Sequence, residues 1–194
     1  MDDPGGSSVT GRRPSLVWLA VAFYGVLFAL ALVWAGLAGR SLVYADPAAA
    51  ARGIAPLRDL AAGIATGLAV IGLSAELTRR TAWGEALARA LAAVLGRLRL
   101  SECIALALLS GVAEEAFFRG ALQPQVGLLA ASALFALAHL APRRELWPWT
   151  LCSFAAGLAL GGLFAWTGNL LAPVAAHALV NAVNLRVLAV RYAP

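Results

Sequence analysis

The sequence predicts an all-α fold, a polytopic membrane helix bundle. Three observations support this prediction. Of its 194 residues, 61% are hydrophobic and only 13% are charged, whereas a soluble domain is about half apolar and a quarter charged. The mean hydropathy is +0.81. The apolar residues fall in runs long enough to cross a bilayer, which takes about 20 helical residues. No polar stretch is long enough to fold separately, so residues 1–194 are predicted to form a single integral membrane domain.

The apolar runs predict about six transmembrane helices and one interfacial helix. Arginines interrupt the segment 79–99, while leucines and a valine recur there at helical spacing. This pattern is typical of an amphipathic helix that lies at the membrane surface. Short connections between the spans imply that neighbouring helices are antiparallel. The predicted spans cover residues 16–38, 58–77, 102–122, 126–141, 147–166 and 169–190.

The N-terminal residues and the two cysteines support two further predictions. Residues 1–15 are polar and predict a short disordered tail ahead of a retained first span, because no clear cleavage site follows them. Cys103 and Cys152 lie in apolar runs without CxxC spacing, so both are predicted to be buried free thiols.

The basic residues indicate the orientation in the membrane. All 15 are arginines, and the net charge is +5. Six spans place both termini on the side with most of the arginines, and that side is expected to be the cytoplasm. The small, lysine-free chain points to a bacterial cytoplasmic membrane, and loop anchoring explains the charge without a nucleic-acid partner. The arginines on the terminal side are Arg12, Arg13, Arg79, Arg80, Arg89, Arg97, Arg99, Arg143, Arg144, Arg186 and Arg191; the other side has Arg40, Arg52 and Arg58.

Three charged residues interrupt the third predicted span. Glu114, Glu115 and Arg119 lie deep in this span, and each charge facing lipid would cost about 3 kcal/mol. An ion pair between Glu115 and Arg119 along the helix recovers only about 0.5 kcal/mol. The cluster must therefore face a polar protein interior. An ion-paired knot that fixes helix packing explains Glu115 and Arg119, but Glu114 points about 100° away and stays available for chemistry.

Both histidines of the chain also lie in predicted spans. Phe135 and His139 are four residues apart, so the phenyl ring can wall one side of the imidazole. His177, Asn181 and Asn184 form one polar stripe on the sixth span, in which Asn184 can also serve as helix–helix glue. A lone buried histidine is usually structural, but two beside buried glutamates favour function. Ser110 precedes Glu114 by one turn and is assigned mainly to packing.

These residue types suit hydrolysis by an activated water. A carboxylate and an imidazole that converge on water act as a general base, and a second imidazole with an amide can stabilise an oxyanion. Other protease signatures are absent from the sequence. There is no H-E-x-x-H zinc motif, and Leu108 replaces the first glycine of a rhomboid-like G-x-S-G.

The motifs Glu114-Glu115-x-x-x-Arg119, Phe135-x-x-x-His139 and His177-x-x-x-Asn181 occur in that order within residues 101–190. In this order, each on a predicted span, they resemble the CPBP family, which comprises the type II CAAX prenyl endopeptidases and the bacteriocin-processing or immunity proteins, also called the Abi family. The resemblance implies a glutamate-type intramembrane endopeptidase that acts near the C-terminus of membrane-anchored proteins or lipidated peptides.

The resemblance also implies roles for the residues. Glu114 would activate water with the help of His139, and His177 and Asn181 would form the oxyanion site. Glu115, Arg119 and Phe135 would support them. No cofactor is expected; the alternative is Zn²⁺ held by Glu114, His139 and His177, because two imidazoles and a carboxylate satisfy a catalytic zinc site.

The substrate and the membrane face stay open at this stage. Eukaryotic relatives trim prenylated proteins at the cytoplasmic face, whereas some bacterial relatives resemble enzymes of the myxosortase type, which remove C-terminal tails. In six spans Glu114 and His177 lie closer to the outer end, which favours tail sorting. His139 lies deeper, so the three residues can meet only if span three continues past Gln123, span four starts later, or the helices tilt.

Three other functions remain compatible with the sequence. A haem protein with His139 and His177 as axial ligands leaves both glutamates unexplained. A proton-coupled carrier would use the intramembrane carboxylates. A non-catalytic immunity or scaffold protein would share the fold without the activity.

Overall fold

The computed structural model describes residues 16–193. The N-terminal tail predicted for residues 1–15 lies outside this range and stays a prediction. Within it the chain is helical, and an isolated bridge pairs Tyr44 with Asn169, so the predicted all-α class is confirmed. The helices are α1 (Leu16–Leu37), α2 (Pro47–Arg52), α3 (Pro56–Arg80), α4 (Ala82–Leu95), α5 (Leu100–Glu115), α6 (Gln123–Ala138), α7 (Trp147–Thr167) and α8 (Leu171–Val187), with π-helical turns at Ala116–Leu122 and Leu188–Tyr192 and a 3₁₀ turn at Arg144–Leu146.

Five segments of the described chain are long and apolar enough to cross a membrane, where the sequence predicted about six. The difference arises in the segment Leu100–Ala138, which contains both predicted spans three and four. Gly127 breaks this segment with φ 83° and ψ 167°, a backbone conformation that favours glycine. The chain reverses there, because the rings of Phe118 and Phe135 lie 5.1 Å apart, whereas 17 residues of continuous helix would separate them by about 25 Å.

The reversal leaves a short returning arm. Only residues 128–138 of α6 follow Gly127, about 16 Å of helix, which is less than the roughly 30 Å of the hydrocarbon core. The third predicted span does continue past Gln123, and the fourth begins later than predicted. This is the adjustment that the sequence required if His139 was to reach Glu114.

Small residues bring α8 close to two neighbouring helices. A methyl group added at Gly63 of α3 would lie 2.5 Å from the Ala172 carbonyl oxygen, and one at Gly111 of α5 would lie 3.1 Å from the Ala178 nitrogen. Contacts this close are typical of membrane helices, in which small residues allow backbones to approach. They set α8 between α3 and α5 and bring its polar stripe toward the glutamates.

The connection between α1 and α3 closes one end of the bundle. The helix α2 in this connection was not predicted; Asp46 caps it by accepting a hydrogen bond from the Ala49 amide at 2.7 Å. The Val43 carbonyl accepts from the Leu170 amide at 3.1 Å. A methyl group at Gly120 would lie 2.3 Å from the Leu42 carbonyl oxygen. Residues 38–55 are therefore packed tightly over the turn that joins α7 to α8 and over the end of the α5 segment.

Two further predictions can be compared with the structure. The amphipathic segment forms a helix of its own, α4, which packs against α3, the 3₁₀ turn and the C-terminal π-helical turn. Cys103 is a buried free thiol as predicted, but Cys152 is exposed. The buried assignment of Cys152 was wrong, because an apolar run in a membrane helix also supplies side chains that are accessible rather than packed in the core.

Candidate active site

Glu115 lies at the centre of a buried ion cluster. Its Oε1 accepts a hydrogen bond from Arg119 at 2.9 Å and lies 2.7 Å from His177 Nδ1. The Arg119 guanidinium also donates to the Gly157 carbonyl at 3.3 Å and lies 4.4 Å from the centroid of the Phe135 ring. Glu115 and Arg119 are 0% and 1% exposed. The predicted i,i+4 pair is present, and it extends to α8 through His177, which the sequence did not indicate.

The neighbouring Glu114 has a different environment. Its Oε2 is buried and has no hydrogen-bond partner among residues 16–193. That oxygen lies 3.8 Å from His139 Nε2 and 3.9 Å from His177 Nε2. The structure thus brings together the three residues that the sequence singled out, from α5, the end of α6 and α8. The separations exceed a direct hydrogen bond, and a water oxygen can lie within hydrogen-bond reach of two of these atoms at once.

Contacts at Nδ1 fix the orientation of both histidine rings. His139 Nδ1 lies 2.7 Å from the Phe135 carbonyl oxygen. A carbonyl only accepts, so Nδ1 carries the proton, and the neutral ring presents a lone pair at Nε2. The Nδ1 atom of His177 likewise carries a proton, because it faces the carboxylate of Glu115. Phe135 packs on the His139 ring with centroids 4.5 Å apart, as predicted, and Trp149 contacts the ring edge on at 5.1 Å.

The remaining polar residues of α8 each have a partner on another helix. Asn181 donates a hydrogen bond from Nδ2 to Ser110 Oγ at 2.9 Å, which leaves its second N–H for other acceptors. Ser110 therefore orients Asn181, beyond the packing role that the sequence suggested. Ser74 Oγ bonds the Asn184 side-chain oxygen at 3.3 Å. Asn184 thus links α8 to α3, which confirms its reading as helix–helix glue.

A cavity of about 1110 Å³ reaches this site. Its wall is mainly apolar, and Glu114, His139, His177 and Asn181 lie along it. From the site the cavity extends along α3 and α8 to Arg79, Trp83, Arg191 and Tyr192, at the end where most loop arginines lie. In the described chain, no residue of the connection 38–55 lines it. The cavity therefore leads to the arginine-rich end, opposite to the end that the depth of Glu114 and His177 had favoured.

Two cavity-lining aromatic residues escaped the sequence reasoning. Trp149, in the first turn of α7, contacts His139, and Tyr24 of α1 faces Glu114 and Ser110. No motif was found in the first two spans. The available signal for Tyr24 was its polar group inside the otherwise apolar α1, and Trp149 gave none that separates it from an interfacial tryptophan.

Comparison with known proteins finds a protease family that is similar to part of the chain. Residues 96–183 match the family model described as "Type II CAAX prenyl endopeptidase Rce1-like". The predicted family resemblance is therefore confirmed over this segment, which contains every residue to which the sequence assigned a site role. The matched family is one of proteases that are integral to the membrane.

A bacterial protein is also similar. "Uncharacterized protein YpbD" of Bacillus subtilis (strain 168) is 38% identical over 92 residues. The alignment covers 46% of this chain and 47% of that protein, so the chain spans about half the length of the curated relative that it matches. No solved structure matches the chain significantly.

Proposed function

We propose that this protein is an intramembrane endopeptidase that hydrolyses a peptide bond near the C-terminus of a membrane-anchored protein substrate. The observation that carries the proposal is the convergence of His139 Nε2 and His177 Nε2, at 3.8 and 3.9 Å, on a buried Glu114 oxygen without a partner in the described chain. A carboxylate kept free beside two oriented imidazoles is the arrangement that general-base activation of water requires. The match of residues 96–183 to a prenyl endopeptidase family supports peptide-bond hydrolysis as the activity.

In the proposed reaction, a water molecule bridges Glu114 and His139. Glu114 takes one proton as the water oxygen bonds to the carbonyl carbon of the scissile peptide, and His139 accepts the other hydrogen bond at Nε2. The carbonyl electron pair moves to its oxygen. When the tetrahedral species breaks down, the C–N bond breaks and the proton held by Glu114 passes to the leaving amine. The water oxygen and one of its protons thereby enter the new carboxyl group, and the other proton enters the new amine.

His177 and Asn181 are placed to stabilise the oxyanion. A protonated His177, held at Nδ1 by Glu115, donates from Nε2 toward the same space that Glu114 faces. Asn181, fixed through Ser110, offers its second N–H. Preorganised donors of this kind contribute about 3–4 kcal/mol each to the stabilisation of an oxyanion. The Glu115–Arg119 pair fixes His177 and so supports the donor without touching the substrate.

Glu114, His139 and His177 also make up the alternative zinc-binding set. Both histidines present Nε2 and are held at Nδ1, as zinc ligands commonly are. However, no group of three or more His, Cys, Asp or Glu side chains in residues 16–193 is arranged to hold a metal ion. The proposal therefore assigns the chemistry to the side chains alone, and sensitivity to a chelator tests it.

The cavity bears on the substrate. Its apolar wall suits a lipid-modified or membrane-anchored segment, and it leads to the arginine-rich end, which the positive-inside rule assigns to the cytoplasm. This favours a prenylated C-terminal peptide that enters from that side over a tail presented on the outer face. The haem alternative has less support, because both Nε2 atoms face one carboxylate oxygen rather than opposite sides of a porphyrin.

Cleavage in liposomes tests the proposal. A prenylated CAAX peptide and a surface protein with a C-terminal tail would be incubated with the wild type and with the variants Glu114→Gln, His139→Ala and His177→Ala. Glu85→Gln on the exposed face of α4 is the matched control. We expect cleavage of the prenylated peptide, a loss of about 10²-fold or more in the three site variants, full activity in the control and no effect of a zinc chelator.

Different failures have different meanings. Activity of Glu114→Gln equal to that of the wild type would overturn the mechanism. Inhibition by the chelator that added zinc reverses would replace it with metal catalysis. Absence of cleavage of either substrate would favour the non-catalytic immunity or scaffold function.

A further inference from the structure

A tyrosine outside the family segment faces the proposed base. Tyr24 lies in the middle of α1, which packs against α5, and its hydroxyl lies near the carboxylate of Glu114 and the hydroxyl of Ser110. All three side chains line the cavity. The match to the protease family begins at residue 96, so the comparison assigns no role to α1.

The surroundings of Tyr24 make this contact specific. Ser110 and Glu114 are one turn apart on α5, which packs against α1, and both side chains line the cavity. The Tyr24 ring is half-buried and is packed edge-on against Phe23, with centroids 5.1 Å apart. Other tyrosines of the described chain are placed differently, since Tyr44 lies in the closing connection and Tyr192 lies at the cavity mouth.

Ser110 connects this tyrosine to the proposed oxyanion donor. Asn181 donates to Ser110 Oγ at 2.9 Å, and Tyr24 faces Ser110 and Glu114 together. One polar row thus runs from Asn181 through Ser110 and Tyr24 to Glu114. It approaches the carboxylate from α1, on a different helix from those that carry the two imidazoles.

We infer that Tyr24 is a positioning residue of the active site, which donates a hydrogen bond to the Glu114 carboxylate and holds it toward His139 and His177. The inference rests on the proposed function. Glu114 Oε2 has no hydrogen-bond partner among the described residues, so a carboxylate without a second support could rotate away from the imidazoles. The hydroxyl donor fixes the base while leaving that oxygen available to water.

The test combines kinetics with a spectroscopic signature. Tyr24→Phe removes the hydroxyl and keeps the ring, and Tyr44→Phe, outside the cavity, is the matched control. We expect Tyr24→Phe to lower kcat about tenfold or more, as loss of a hydrogen bond to a charged group does, with KM changed less than twofold. The control is expected to keep the wild-type kcat.

Infrared spectroscopy gives a readout that does not need activity. The carboxyl band of Glu114, identified by its loss in Glu114→Gln, is expected to shift in Tyr24→Phe and to stay in place in Tyr44→Phe. An unshifted band would overturn the inference whether or not the protein cleaves a substrate, and so would an unchanged kcat in an active protein. A shifted band in a protein that cleaves nothing would support the contact while refuting the proposed function.

Discussion

Two buried carboxylates, at the closed end and at the cavity, differ in how completely they are bonded. At the closed end Asp59 is 0% exposed and accepts hydrogen bonds from Asn169 at 2.8 Å, the Ala55 amide at 3.0 Å and Arg58 at 2.8 Å. At the cavity Glu114 is 8% exposed, and its Oε2 has no partner in the described chain. Buried polar groups are normally satisfied. The satisfied carboxylate joins α3 to the α7–α8 turn, whereas the unsatisfied one marks where chemistry is proposed.

Neutralisation of Glu114 is expected to have the largest effect of the changes that test this difference between the two carboxylates. We expect Glu114→Gln to lower kcat by 10²–10⁴-fold, since it removes the general base. The apparent melting temperature in detergent should not fall, because the substitution removes a buried charge whose Oε2 atom has no hydrogen-bond partner among the described residues. Cleavage assays and thermal unfolding of the same preparation measure both effects. A variant that unfolds earlier and cleaves normally would show that Glu114 serves cohesion, as Asp59 does.

The adjacent ion cluster should respond mainly in stability. Arg119→Met leaves the Glu115 carboxylate buried with only His177 beside it, and breaking a buried pair costs about 3–5 kcal/mol. Addition of Glu115→Gln to this variant should restore part of the loss, because no uncompensated charge remains. Thermal unfolding of the two single variants and the double variant forms a double-mutant cycle. Strictly additive effects would contradict a direct Glu115–Arg119 interaction.

The sequence predicted which polar residues are buried better than it predicted the contacts between the helices that carry them. Charges inside apolar runs are costly, so Glu114, Glu115, Arg119 and the histidines were evident as members of a polar interior. The pairing of Glu115 with Arg119 followed from helical spacing, and it is present at 2.9 Å. These features depend on local periodicity, which the sequence shows directly.

Contacts between helices could not be predicted in the same way. The bond between His177 and Glu115 depends on how closely α8 approaches α5, which the contact of Gly111 with Ala178 sets. The reversal at Gly127 depends on one residue with positive φ, and other glycines of similar context remain helical. The π-helical turn after Glu115 likewise follows no simple composition rule. The helix count, the direction of the cavity and the role of Tyr24 therefore required the structure.

Removal of Asp59 tests whether the fully hydrogen-bonded carboxylate contributes to stability rather than to activity. Asp59→Ala leaves the Asn169 amide and the Ala55 N–H without their acceptor, and each unsatisfied buried donor costs about 1–3 kcal/mol. We expect a lower melting temperature and an unchanged kcat per folded molecule. Asp46→Ala, at the N-cap of α2, is the matched control and should cost only about 1 kcal/mol. A loss of kcat in folded Asp59→Ala protein would mean that the closed end contributes to the site.

The smallest expected effect concerns the close packing of α3 against α8. In Gly63→Ala the new methyl group would lie 2.5 Å from the Ala172 carbonyl oxygen, so α3 and α8 must separate; overpacking of this kind costs about 1–3 kcal/mol. Gly72→Ala on the same helix meets nothing within 4 Å and should be neutral or slightly stabilising. Thermal unfolding distinguishes them. If both variants unfold like the wild type, α8 is not held by close backbone contact with α3. The placement of His177 then depends on α5 and the Glu115 cluster alone, and the closed end is not needed to align the site.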